Sequence, residues 1–544
     1  MSPPATVTEA LFATAERGTG EYVFHFEEGP SRLSCTELVE RASRQARRLI
    51  ALGIEPGDAV GVLGPNRPEW VVSAFAIWIA GAALVPIQIP MRIRDPDAFR
   101  ERLRGLVAAG GCSRVLADPA LTGLLPADVA VAWEEDGQES AEQPPGASPD
   151  AAAVIQFTSG STAEPKGALI AHAAVMAQIG VLERGFHRRG VPRTSLSWTP
   201  YFHDLGLFHN VIPTSVWGLS SNHLPTERFA RDPAEWLRQV EATRAEITIA
   251  PSTAFGAAVK AALRSDERID LSSLEIGFFV AEGVDPEVAG KTMAVAEERF
   301  GFPPEALGST YGLAEAVLAV AYPVVGSGMR LDRISLDQLA AAAIAAPAEG
   351  ERSRLMVSSG SVEPPMEVRI VAEATASPAS LPDRHVGEVL LRGPSLMSGY
   401  VGRNAPDPFI DGWLRTGDLG YTVDGELYIA GRAKDMVIVT GQNYYPEDFE
   451  WAAARVDAVR PGRTVAFNVP GTERVVVLVE DAGNGAAAGL EREVRRVVTD
   501  AVGVAPHEVA VLPRGTIEKT TSGKVRRASM RDAYISGALG GGGS

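Results

Sequence analysis

Short apolar runs without a charged residue recur along this chain at 59–63, 154–157, 247–250 and 276–280. The last three each lead through turn residues into a segment with helical spacing. Strands that lack polar alternation need cover on both faces, and helices returning between them set them side by side in one direction. The pattern predicts an α/β fold of layered, mostly parallel sheets and helices. Ahead of the first run, Leu38, Ala42, Ala46 and Leu49 fall on one face of a helix over 37–52 that Gly53 ends.

At 544 residues the chain exceeds what one core organises. Its texture changes late: 425–431 reads as a hairpin strand, and about a hundred residues follow, enough for a compact domain. The expected division is a large N-terminal domain over 1–432, a small mobile α+β domain over 433–537, and a flexible tail or linker over 538–544. Between them, the alanine-rich 339–346 predicts a helix stopping at Pro347, with 349–354 an exposed connector.

The run 70–90 carries no charge, but Pro86 and Pro90 break its second half and basic residues flank it. It predicts a buried helix and a buried strand rather than a membrane span. Residues 1–18 lack a secretory pattern. Cys35 and Cys112 make no metal or redox spacing, which fits buried thiols in a cytoplasmic protein. A net charge of −17 argues against nucleic acid or an anionic membrane as partner.

Directly after the apolar run 151–155 comes Gln156-Phe-Thr-Ser-Gly-Ser-Thr-Ala-Glu-Pro-Lys-Gly167. Glycine lets backbone N–H groups approach an anion, the hydroxyls of Thr158, Ser159, Ser161 and Thr162 add donors beside Gly160, and Lys166 adds a point charge. Ligands in open α/β sheets gather at the carboxyl ends of strands, where this loop lies. It reads as a phosphate cradle. Pro165 precedes the lysine and Gly167 follows it, so the Walker pattern fails and another kind of nucleotide site is needed.

Four later segments accompany the loop: Gly308-Ser-Thr-Tyr-Gly-Leu-Ala-Glu-Ala316, Trp413-Leu-Arg-Thr-Gly-Asp-Leu-Gly420, Gly431-Arg-Ala-Lys-Asp-Met-Val-Ile438 and Thr520-Thr-Ser-Gly-Lys-Val-Arg526. In this order the five resemble the adenylate-forming superfamily, whose members join a carboxylate to the α-phosphorus of ATP and release pyrophosphate. The resemblance implies ATP and Mg2+ as cofactors and assigns roles residue by residue. Thr158 to Lys166 would hold the β- and γ-phosphates, Thr310 the α-phosphate, and Tyr311 and Gly312 would lie at adenine with Ala281, Glu282 and Gly283. Glu315 would bind the metal, Asp418 and Arg432 the ribose. Lys524 would reach the carboxylate and α-phosphate, and Lys434 would be the hinge at which the small domain turns between half-reactions, bringing Gly441 to the thiol's path.

Within the superfamily, Ser197-Trp-Thr-Pro-Tyr-Phe-His-Asp-Leu-Gly-Leu207, Leu355-Met-Val-Ser-Ser-Gly360 and Gly441-Gln-Asn-Tyr-Tyr-Pro-Glu-Asp448 resemble fatty acyl-AMP ligases more than acyl-CoA ligases. That implies transfer of the acyl group to the pantetheine of an acyl carrier protein. Acyl-CoA ligase and adenylation of an unusual small or amino-substituted acid remain alternatives. His203, Asp204, Phe208, His209 and Asn210 are the expected substrate pocket. The last three stand where the family tends to have small glycines; they would shorten an acyl tunnel or recognise a polar substituent, unless His209 and Asn210 point away from the pocket and satisfy local backbone groups.

Overall fold

The computed structural model describes residues 3–90, 93, 95–133, 138–157, 166–186, 194–349, 352–372, 379–402, 406–483, 489–519 and 524–539. Among these, three larger sheets build the N-terminal domain. One has seven strands, ordered Leu307–Ser309, Ile276–Phe279, Ile247–Ala250, Thr194–Ser197, Ser220–His223, Glu21–Phe26 and Gly29–Ser34, parallel except at the last pair. The second runs Gly399–Tyr400, Gly167–Ala171, Ala152–Phe157, Ala83–Pro86, Ala59–Leu63, Cys112–Ala117 and Ala130–Ala132, with its first two pairings antiparallel. Both follow from apolar strands returned by helices. The third sheet has nine strands and its pairings are antiparallel. Its strands lie between 311 and 432 and several are joined by hairpins, so strand–helix alternation does not reveal it.

The uncharged run forms the helix Pro68–Ile79 and the strand Ala83–Pro86, with Trp70, Phe75 and Trp78 fully buried in the largest core cluster. No described helix is long and apolar enough to cross a membrane. The helix expected at 37–52 is Cys35–Ala51, started by Ser34, whose Oγ accepts from the Glu37 N–H at 3.1 Å. Cys35 and Cys112 are buried free thiols, and burial pushes each up to about 12.

Two expectations need correction. The alanine-rich helix spans Leu336–Ala342, because Ser335 caps it early and Ala343 turns left-handed at φ 52°. Nor is 349–354 wholly an exposed connector: the strand Ser353–Val362 begins inside it, and Arg354 is 7 % exposed.

The hairpin of Trp413–Val423 and Glu426–Arg432 leads into a single 3-10 turn, Ala433–Asp435. Beyond it lie the hairpin Val437–Val439 and Gln442–Tyr444, and a three-stranded sheet of Val459–Asn468, Val475–Asp481 and Glu508–Leu512. The helices Pro446–Ala454, Leu490–Val502 and Arg527–Ile535 complete this smaller α+β domain. Leu539 packs against a core cluster of the small domain that includes Val465, Phe467 and Met530, and 540–544 lie outside the described residues.

Candidate functional site

Lys524 of the small domain lies close enough to ionisable residues of the large one to feel their charges. Asp418 is 4 % exposed on the strand Trp413–Val423, directly across from Arg432. Its Oδ1 pairs with Arg432 Nε at 2.9 Å, and its Oδ2 accepts from Tyr311 Oη at 2.7 Å. Burial, then the Asp418 charge, raises the Tyr311 phenol well above its ordinary value, so it stays a neutral donor. The Asp418 charge raises Arg432, outweighing burial, which acts to lower it.

Thr310 follows the strand Leu307–Ser309, its N–H bonded to Phe279 O at 3.0 Å. At Gly312 a Cβ would stand 1.8 Å from Leu318 O, so the backbone closes there only around glycine. Glu315 sits on the short turn Ala314–Ala316, followed by Val317 at φ 64°. A β-branched residue at positive φ is strained, and such strain clusters at functional sites. Glu315 Oε1 accepts from Tyr400 Oη at 2.8 Å, and Lys166 Nζ lies 5.4 Å from the Tyr400 ring centroid. Tyr400 was not expected from the sequence. Its partners are far away along the chain and no local pattern marks it.

Ala281 also holds a positive φ, 69°, beside Glu282 and the exposed Gly283. The Glu282 carboxylate caps the helix Ser252–Arg264, with Oε1 accepting from Ser252 Oγ at 3.0 Å and from the Thr253 N–H at 2.9 Å. The Glu282 carboxylate is thus engaged within the protein. Thr158, Ser159, Gly160, Ser161 and Thr162 lie outside the described residues.

Lys524 precedes the helix Arg527–Ile535 and feels the charges of Asp204, Asp418 and Glu282. Part of its side chain is open to solvent, yet loss of hydration, then the Arg432 charge, lowers its ammonium below the usual lysine value. Lys434 lies in the Ala433–Asp435 turn and is lowered for the same two reasons. His203 Nδ1 and Asp204 Oδ1 are 2.5 Å apart. Burial raises the Asp204 carboxyl, but His203, the Leu205 N–H and Lys524 outweigh it and leave a net lowering.

Next comes a π-helical stretch, Leu205–Val211, of the kind that accompanies functional sites. Gly206 permits it, since a Cβ there would meet Pro200 O at 1.9 Å. Phe208 is fully buried. Asn210 Nδ2 donates to Ser197 Oγ at 2.8 Å and to Thr199 Oγ1 at 2.9 Å, while its Oδ1 lies 3.0 Å from His209 Nδ1. The Asn210 amide is thus held by neighbouring hydroxyls, the local-satisfaction alternative, with side chains in place of backbone. Burial lowers His209 to about 4.

A family model described as "AMP-binding enzyme" matches residues 11–401. Among similar proteins, the Caulobacter vibrioides protein named "Putative acyl-CoA synthetase" is 31% identical, over 98% of this chain and 96% of its own. The Mycobacterium marinum long-chain-fatty-acid–AMP ligase FadD26 is also 31% identical, over 93% of this chain and 91% of its own. A solved structure from work on fatty acyl-adenylate ligases of E. coli and L. pneumophila superposes with a TM-score of 0.91 at 28% identity, covering 98% of both chains.

Proposed function

Since this chain belongs to the AMP-binding enzyme family and is an adenylate-forming ligase, we propose that it activates a fatty acid as its acyl-adenylate and passes the acyl group to a carrier-protein pantetheine. A carboxylate oxygen attacks the α-phosphorus of ATP, the bond to the β-phosphate oxygen breaks, and pyrophosphate leaves. The pantetheine thiolate then attacks the acyl carbonyl and AMP leaves. The observation that carries this reading is the buried Asp418 carboxylate held between Tyr311 Oη at 2.7 Å and Arg432 Nε at 2.9 Å, with Lys524 close enough to feel its charge.

Both reactants of the first step are anions, so fixed cations and donors must supply most of the stabilisation. In this reading Lys524 neutralises charge between carboxylate and α-phosphate, and Thr310 adds a donor there. Lys166, with Thr158, Ser159, Gly160, Ser161 and Thr162, holds the outer phosphates. Asp418 and Arg432 hold the ribose; Tyr311 and the backbone at Ala281, Glu282, Gly283 and Gly312 border the adenine.

Mg2+ fits the donor set. Among the described residues no group of three or more His, Cys, Asp or Glu side chains is arranged to hold a metal, whereas Mg2+ needs only one or two carboxylates when phosphate oxygens supply the rest. Glu315 would hold it, and bound Mg2+ would neutralise charge on the departing pyrophosphate.

The chain divides functionally at 432/433 in this reading, with Lys434 as the hinge residue absorbing the backbone change between half-reactions. CoA as acceptor is the second reading, favoured by the name of the Caulobacter relative. The test is acid-dependent pyrophosphate release over fatty, aromatic, small polar and amino acids, followed by transfer to CoA or to a phosphopantetheinylated carrier. Release with fatty acids and transfer to the carrier alone supports the proposal. Transfer to CoA replaces it with the second reading, and no release with any acid overturns both.

A further inference from the structure

Arg354 is a buried cation of the large domain whose partners lie mostly in the small one. Its Nη2 donates to Ala430 O at 3.1 Å, within its own domain. Its Nη1 lies 3.0 Å from Asp448 Oδ1, with the two side chains only 6% and 5% exposed. The guanidinium also lies 5.3 Å from the Tyr445 ring centroid and 5.2 Å from that of Trp451. Tyr445 is the N-cap of the helix Pro446–Ala454, which carries Asp448 and Trp451. At Gly431 a Cβ would stand 2.4 Å from Tyr445 Cδ1, so the missing side chain admits this ring.

The same helix grips the Lys524 loop. Arg527, three residues beyond Lys524, reaches Glu450 Oε1 at 3.0 Å and Glu447 Oε1 at 3.1 Å with Nη2, and Asp435 Oδ2 at 3.1 Å with Nη1. A chain of charged contacts therefore runs from Arg354 through Asp448 and its helix to Glu447 and Glu450, then to Arg527 and the Lys524 loop.

We propose that Arg354 is a positioning residue for adenylation, fixing the helix Pro446–Ala454 so that Lys524 stays near enough to Asp418 and Asp204 to feel their charges, and that its contact with Asp448 must part before the small domain turns for thiol transfer. The inference rests on the reading of Lys524 as the adenylation lysine. A planar fork suits this place because it can pair with a carboxylate and stack on two rings at once.

Replacing Arg354 alone strands the Asp448 charge in an apolar site and endangers folding. The main variant is therefore the double change Arg354→Met with Asp448→Asn, with Arg354→Lys beside it. Pyrophosphate exchange and transfer from supplied acyl-adenylate to a phosphopantetheinylated carrier are measured separately. Dyes on Leu52→Cys and Ile535→Cys, both exposed positions, report the interdomain distance, the native cysteines being buried. Exchange is expected to fall about 10-fold or more, with transfer unchanged or faster and the distance distribution broadened. Equal loss in both half-reactions overturns the proposal, as does an unaltered distance distribution in the double variant. A wild type that exchanges pyrophosphate with no acid sinks the functional reading instead, while the distance measurement still decides the clamp.

Discussion

Tyr400 links Glu315 to Lys166: its hydroxyl donates to Glu315 Oε1 at 2.8 Å, and the Lys166 ammonium lies 5.4 Å from its ring centroid. The short strand Gly399–Tyr400, paired with Gly167–Ala171, carries this phenol to the two groups proposed for metal and phosphate. Burial, then the Glu315 charge, raises its pKa, so it donates and does not compete as an anion.

Tyr400→Phe keeps the ring under Lys166 and deletes the bond that orients Glu315. A charge-assisted hydrogen bond contributes roughly 1.5–3 kcal/mol, so pyrophosphate release at limiting Mg2+ should fall about 10-fold or more. Titrating Mg2+ against the initial rate checks this. An unchanged half-saturation and rate would remove Tyr400 from the site.

Lys524→Ala should lower adenylation by about 100-fold or more, because its charge has no substitute at the reacting phosphate. ATP affinity by calorimetry should change far less, and transfer from supplied acyl-adenylate should persist. Adenylation at the wild-type rate would refute the assignment.

Asp418→Ala leaves the buried Tyr311 hydroxyl without its acceptor and Arg432 without its paired carboxylate. The expected loss of stability is about 2 kcal/mol, read as a lowered thermal midpoint, together with weaker ATP binding. Tyr311→Phe should cost less, since no charge is stranded. Equal midpoints for wild type and Asp418→Ala would contradict the pairing.

Burial lowers His172 and His209 to about 4 and His223 to about 3, below the ordinary imidazole value of 6.5. The unfolded chain takes up protons below about pH 6.5 that the folded chain refuses until about pH 4, so stability is full above 6.5 and declines as pH falls through that window. For His209 alone the ceiling is about 3 kcal/mol at about 1.4 kcal/mol per pH unit. His209→Leu should flatten the fall of the urea midpoint between pH 6.5 and 5. An identical slope in the variant would show that His209 does not contribute.

The large domain was legible where neighbours in sequence are neighbours in space. The apolar strands at 59–63 and 247–250, the helix from Cys35 to Ala51 and the buried run after Trp70 each announce themselves by local pattern, as does the hairpin into Arg432. Motif order also indicated residues that the fold brings together, Tyr311 with Asp418 and Arg432 among them.

Local reading fell short where the deciding partner is remote. Nothing near Glu282 in the sequence shows that its carboxylate caps the helix that begins at Ser252. Arg354 looks like part of a polar connector until Asp448 and two aromatic rings are found around it.

By itself, then, the sequence determined the α/β layering, the smaller domain after the Ala433–Asp435 turn and the chemistry available in each motif, because hydrophobic period and turn chemistry act over a few residues. Only the tertiary structure decided which side chains complete those motifs. Tyr400 on Glu315, Arg354 on Asp448 and Lys524 near Asp204 depend on strand register and domain placement, set by packing between segments far apart in the chain.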